Sequence, residues 1–182
     1  DPIPSRGLGD VYKRQAALEA GLRPETIESA LRCFEGVPHR LESLGSVQGI
    51  PVFNDSKATN YDAAAVGLRS VPGPVVLLAG GQTKQGDAQS WLELLHERSS
   101  AVVLFGAGAD ELRCLIEASA FSGDVTIHNG LDEAVPHALE LARQQKAASV
   151  LLSPACASFD QYSDFEARGN HFRELIEARK SH

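Results

Sequence analysis

The run VVLLAG at residues 75–80, followed at once by GQTKQGD at 81–87, decides the fold. A segment that is apolar at every position has no face to give to water, so it suits a parallel strand covered by helices on both sides. AVVLFG at 101–106 repeats the pattern. Working outward, strands and helices alternate. Helices are expected near Tyr61 to Arg69, Ala88 to Arg98, Ala109 to Ala120, Asp132 to Gln145 and Phe165 to Arg179. Between them, strands are expected at Pro74 to Ala79, Ala101 to Phe105, Val125 to His128 and Ser149 to Leu152. The reading is an α/β fold, a Rossmann-like and mostly parallel sheet flanked by helices. In such sheets ligands collect at the carboxyl ends of the strands.

Upstream, Arg40 to Asn54 reads as a hairpin turning near Gly49, and Pro24 opens a short amphipathic helix carrying Ile27, Ala30, Leu31 and Phe34. AALEAGL from residue 16 reads as the end of an alanine-rich helix closed by Gly21. Residues 1–14 show neither helical nor strand period and are expected to be disordered or non-native. The chain has no methionine, so it is expected to be a fragment or a processed product. The organisation expected is 1–14 as that segment, 15–35 as the end of a preceding domain with a linker helix, and 36–182 as the main domain.

With 182 residues and 43% hydrophobic residues, the chain can bury one sizeable core. Its formal charge of −7, with Lys and Arg scattered, argues against nucleic acid as a partner. No apolar run approaches the roughly 18 residues of a membrane span, and a cytoplasmic, monomeric protein is expected. Cys33, Cys114 and Cys156 form no CxxC pair, so neither a disulfide framework nor a zinc cluster is implied.

Three polar clusters fall where strands should end. In NDSKATN at 54–60 a carboxylate can accept from ribose hydroxyls and a lysine can offset phosphate or carboxylate charge, but Asp, Ser, Thr and Asn also cap helices. In GGQTKQGD at 80–87 the glycines permit close backbone approach, and Lys84 either clamps a carboxylate or stands exposed on an ordinary turn. The spacing is not that of a Walker A loop. In LSPACASFDQ at 152–161 small residues let the chain pack while Ser158 offers a hydroxyl. Nothing in the sequence pairs Cys156 with a base, and a buried small Cys is common. His39-Arg40 is either a surface pair or a phosphate contact, and Gly106-Ala107-Gly108 is explained by a tight turn.

Together, HRLE at 39–42, NDSKATN at 54–60, GGxxK at 80–84 and LSPACASFDQYxxFxxRG at 152–169 resemble the C-terminal domain of the Mur ligase family, in its D-glutamate-adding branch. The similarity runs over about residues 15 to 180. Gln82 departs from it, standing where an acidic residue is frequent.

The resemblance implies that Thr59 and Lys84 help hold a carboxylate of D-glutamate, with Ser158 and the backbone at Phe159 and Phe165 taking the remaining contacts. It implies that Asp55 faces the ribose of ATP, with His39, Arg40 and Lys57 near the nucleotide and the reacting phosphate; Lys57 and His39 are the catalytic candidates. The implied reaction is ATP-driven peptide-type bond formation in peptidoglycan synthesis, with UDP-N-acetylmuramoyl-L-alanine held by domains outside this chain. Mg2+ would be ligated in a central domain that also carries the phosphate loop, so the chain alone is expected to be inactive. A stand-alone amino-acid or nucleotide-binding module, or a domain of another Mur-type amide ligase, is the alternative.

Overall fold

A computed structural model describes residues 15–33 and 36–180. The expectation for residues 1–14 therefore lies outside the described residues. The chain forms two compact units, dividing after Gly36.

In the first unit residues 15–19 are helical. Gly21, at φ +82°, ends this turn, with Gly21 N–H donating to Leu18 O at 3.0 Å and Leu22 N–H to Ala17 O at 3.1 Å. This is a Schellman closure, which needs the left-handed backbone that glycine tolerates. Helix α1, Pro24–Cys33, starts on the expected proline.

The second unit is a six-stranded sheet in the order β1-β2-β6-β3-β4-β5. The strands are β1 (Glu42–Val47), β2 (Ile50–Asn54), β3 (Val75–Gly80), β4 (Ser99–Phe105), β5 (Asp124–His128) and β6 (Ser149–Leu152). The helices are α2 (Tyr61–Ser70), α3 (Gln89–Arg98), α4 (Ala109–Ala118), α5 (Leu131–Gln144) and α6 (Phe165–Lys180). Among the described strands only the β1–β2 hairpin pairs antiparallel; the remaining strand pairings are parallel. The expected α/β sheet is therefore observed, with helix and strand ends moved by a residue or two. None of the described helices is long and apolar enough to cross a membrane.

Strand period two sorts the core onto two faces. Leu77, Val102, Leu104 and Leu151 point to the face where Leu68, Trp91, Leu95, Leu112 and Ile116 of α2, α3 and α4 pack. Val76, Leu78, Val103, Val150 and Leu152 point to the other, against Ala134, Ala138, Phe172 and Ile176 of α5 and α6. Neighbouring strands β3 and β6 thus feed helices on opposite faces. Connections that leave for opposite faces define a switch point, the place where open α/β sheets bind ligands.

Candidate functional site at the β3–β6 switch point

The loops after β3 and β6 do not splay apart. Gln82 and Ala157 form an isolated antiparallel pair, each N–H donating to the other's carbonyl at 2.9 Å. Gly81 makes this approach possible, since at φ +122° a Cβ on it would lie 2.2 Å from Ala157 O; Gly80, at φ +143°, brings the strand end equally close to β4, where a Cβ would lie 1.9 Å from Phe105 O. No other residue type fits there. Asp160 joins the third loop by accepting from Ala107 N–H at 2.9 Å.

Arg168 of α6 locks these loops to the one after β2. It is fully buried, with Nε donating to Ser56 Oγ at 3.0 Å and Nη2 to Ser56 O at 2.8 Å. Nη1 and Nη2 both reach Cys156 O at 3.1 Å, and Nη1 reaches Gly80 O at 3.3 Å. Burial pulls the guanidinium down to about 10, still leaving it charged at neutral pH. One planar cation therefore ties 54–60, 80–87 and 152–161 together.

The helix cap in the first cluster falls on Asn60, whose Oδ1 accepts from Ala63 N–H at 2.8 Å. Thr59 and Lys57 are thus free of capping duty. Lys57 is exposed, with Nζ 4.6 Å from the centre of the Phe165 ring. His39 lies against the same ring, centroids 6.3 Å apart, and its carbonyl accepts from Lys57 N–H at 3.0 Å. The structure therefore brings His39, Lys57 and Phe165 together, with Arg40 exposed beside them.

Asp55 is turned inward. It is 5% exposed, its Oδ1 accepts from Leu41 N–H at 3.2 Å and its Oδ2 from Ser153 Oγ at 2.9 Å. Burial pushes the carboxyl up to about 6, against the pull of these bonds and of Arg40. Asp55, implied by the resemblance to face ribose, thus sits with each of its oxygens accepting one hydrogen bond from the chain itself.

Since 6 lies above the ordinary 3.8, the folded state holds this proton more tightly than the unfolded one. The group's contribution to stability is complete below pH 4, declines as pH rises to about 6 and stays lost above it. Asp55→Asn is expected to flatten that decline and to raise stability at pH 7.5 by up to about 3 kcal/mol. Urea unfolding of both proteins at pH 4.5 and 7.5 checks this; equal pH slopes would refute it.

Lys84 is exposed and has no hydrogen bond or ion pair among the described residues. It borders a cleft of about 630 Å³ between α3 and α4, with Tyr61, Asp87 and Glu111. That cleft meets the expected site only at Lys84; the polar convergence lies at the loops themselves. Ser158 is 2% exposed, and its carbonyl accepts from Tyr162 N–H at 2.8 Å. Phe159 is 68% exposed, whereas the Phe165 carbonyl is taken by Ser56 Oγ at 2.8 Å. Cys156 is fully buried and its thiol is pushed up to about 12 by burial, which disables it as a nucleophile. Among the described residues no group of three or more His, Cys, Asp and Glu is placed to hold a metal ion.

Sequence reading assigned no role to Arg168, although a signal was there. Phe165, Arg168, Phe172 and Ile176 share one helical stripe, which sets a cation among core positions. Asn54, fully buried at the end of an apolar strand, is a second residue of this kind.

Fold and site together define an α/β domain whose polar loops are clamped at a topological switch point. The chain belongs to the Mur ligase, glutamate ligase domain family, whose model matches residues 39–156. It is 62% identical over 161 residues to a UDP-N-acetylmuramoylalanine--D-glutamate ligase of Synechococcus sp. (strain CC9605), covering 88% of this chain and 35% of the relative. It is 61% identical, with the same coverage, to the enzyme of that name from Prochlorococcus marinus (strain MIT 9313). The chain thus spans about a third of the length of these curated relatives. Among solved structures, a Mycobacterium tuberculosis folylpolyglutamate synthase complexed with ADP and AMPPCP matches with TM-score 0.61 at 15% identity, over 87% of this chain and 37% of that one. A Thermotoga maritima folylpolyglutamate synthase matches with TM-score 0.57 at 17% identity, over 94% and 39%. Both likenesses concern the fold.

Proposed function

We propose that this chain supplies the D-glutamate pocket and one wall of the ATP site of a ligase that extends UDP-N-acetylmuramoyl-L-alanine. The observation that carries the reading is the clamped convergence of three loops at the switch point, with Lys57 and Lys84 uncommitted to any carboxylate, in a chain 62% identical to a relative of that name.

In this reading ATP phosphorylates the acceptor carboxylate, ADP leaves, and the amine of D-glutamate attacks the acyl phosphate, releasing phosphate and a proton. Lys84, Thr59 and Ser158 hold the amino acid through its carboxylates, as charge-assisted and hydroxyl contacts do well in a partly desolvated crevice. A backbone contact from Phe165 would fall to its N–H, since its carbonyl is already used. His39, Arg40 and Lys57 face the nucleotide phosphates, while Asp55 acts from behind by holding Leu41 N–H and Ser153. The Mg2+ that accompanies ATP would find its protein ligands elsewhere in the full-length ligase. Positioning and charge neutralisation supply the catalysis.

The test grafts residues 15–182 onto the N-terminal and central portions of the Synechococcus relative and follows phosphate release dependent on D-glutamate. Lys84→Ala in that ligase is expected to raise KM for D-glutamate about 10- to 100-fold, as befits loss of a charged hydrogen bond worth about 1.5–3 kcal/mol. KM for ATP should change little. A well-folded graft without activity, or a Lys84→Ala effect confined to ATP, would overturn the reading.

A further inference from the structure

Asn54 has a fixed orientation. Its Oδ1 accepts from Ser56 N–H at 3.2 Å, while its Nδ2 lies 3.2 Å from Glu42 Oε2 and 3.1 Å from Gly169 O, which are acceptors only. A flipped amide would set oxygen against both of them, so the nitrogen faces Glu42 and Gly169.

That same Nδ2 is 3.1 Å from His39 Nδ1. The two N–H bonds of Nδ2 are shared among these three acceptors, and because an amide nitrogen cannot accept, a proton on His39 Nδ1 would face a donor; the unprotonated nitrogen is the form that fits. Glu42 does not compete for a proton there: Oε2 is 3.9 Å from His39 Nδ1 and already receives His39 N–H at 3.0 Å. Its two oxygens also take Arg173 Nη2 at 2.7 and 2.9 Å. Gly169 completes the arrangement, because a Cβ there would lie 2.2 Å from His39 Nδ1 and evict the ring. At the far side Nε2 has no partner among the described residues.

We infer that Asn54 is a positioning residue that fixes His39 as the neutral tautomer with its proton on Nε2. The ring then presents a hydrogen-bond donor, and its ligand is an acceptor oxygen of the phosphate kind rather than a metal ion or a proton to be removed. The choice of ligand rests on the proposed reading of His39 as facing the nucleotide; the tautomer does not. A neutral imidazole with Nε2–H can neither coordinate a cation through that atom nor serve as a base there.

Long-range 1H–15N correlation of the chain labelled in its histidines, with the His39 ring identified by its loss in His39→Gln, reads the tautomer directly. At pH 7.5 the expected pattern is Nδ1 unprotonated and Nε2 protonated. Asn54→Ala should release it towards the Nδ1–H form. A wild-type spectrum with Nδ1 protonated overturns the inference whether or not the variant folds. In the grafted ligase Asn54→Ala is expected to raise KM for ATP about tenfold with KM for D-glutamate unchanged. If the tautomer is as stated but KM for ATP does not move, the phosphate contact fails and the tautomer stands. If the ligase itself is inactive, the proposed function fails while the spectrum still decides the tautomer.

Discussion

Arg168→Met should lower the stability of the chain by about 4 kcal/mol, and Arg168→Lys should recover little of it. The guanidinium is fully buried and donates to carbonyls of Ser56, Gly80 and Cys156 and to the Ser56 hydroxyl, with no carboxylate among its bonded partners. Methionine fills much of the volume but leaves those carbonyls without a donor, at about 1–3 kcal/mol for each unsatisfied group. Relief of the buried charge offsets part of this, which is why the sum stays below the total for three carbonyls. Lysine keeps the charge, but its single ammonium lacks the planar fork needed to span three loops. For a domain of this size the loss corresponds to roughly 10 °C in Tm. Calorimetry of both variants checks it, and a methionine variant as stable as wild type would show that the loops hold themselves.

Arg168 also marks where sequence reading stopped. The sheet was legible because VVLLAG and AVVLFG state by composition alone that both of their faces are covered. The loops carrying the candidate site were legible as loops because polar residues and glycines stood at the ends of those runs. What each residue does within a loop was not, since the deciding partners are distant in sequence. Asp55 points inward because Leu41, fourteen residues earlier, and Ser153, ninety-eight later, supply its donors. The cap settled on Asn60 rather than on Asp55, Ser56 or Thr59, a choice set by where α2 begins. Ser56 meets Arg168 across 112 residues, and no local pattern encodes that meeting.

The same non-local closure makes Gly81 a position that cannot accept a side chain without loss of the loop pair. Gly81→Ala would put a methyl 2.2 Å from Ala157 O and 3.0 Å from Arg168 Nη1, at a φ of +122° that L-residues avoid. The Ala157 carbonyl cannot retreat without giving up Gln82 N–H, so the cost is strain plus a broken loop pair. Together these are expected to remove about 3 kcal/mol or more.

Gly49→Ala is the control. Its φ is +83° in the β1–β2 turn, and a Cβ there meets nothing within 4 Å, so only the conformational penalty of about 1 kcal/mol remains. Urea unfolding of the two variants separates steric closure from backbone strain, and equal losses would refute the argument.

Function should diverge further than stability. Lys84 lies three residues beyond Gly81, and Ser158 directly follows Ala157, so parting the loops separates the two groups proposed to grip D-glutamate. In the grafted ligase Gly81→Ala is expected to raise KM for D-glutamate more than tenfold at a temperature where the variant is still folded, while Gly49→Ala leaves it unchanged. The closure of β3 against β6 is in that sense what the proposed binding site rests on, since the loops can present their polar groups together only while Gly81 lets the backbones touch.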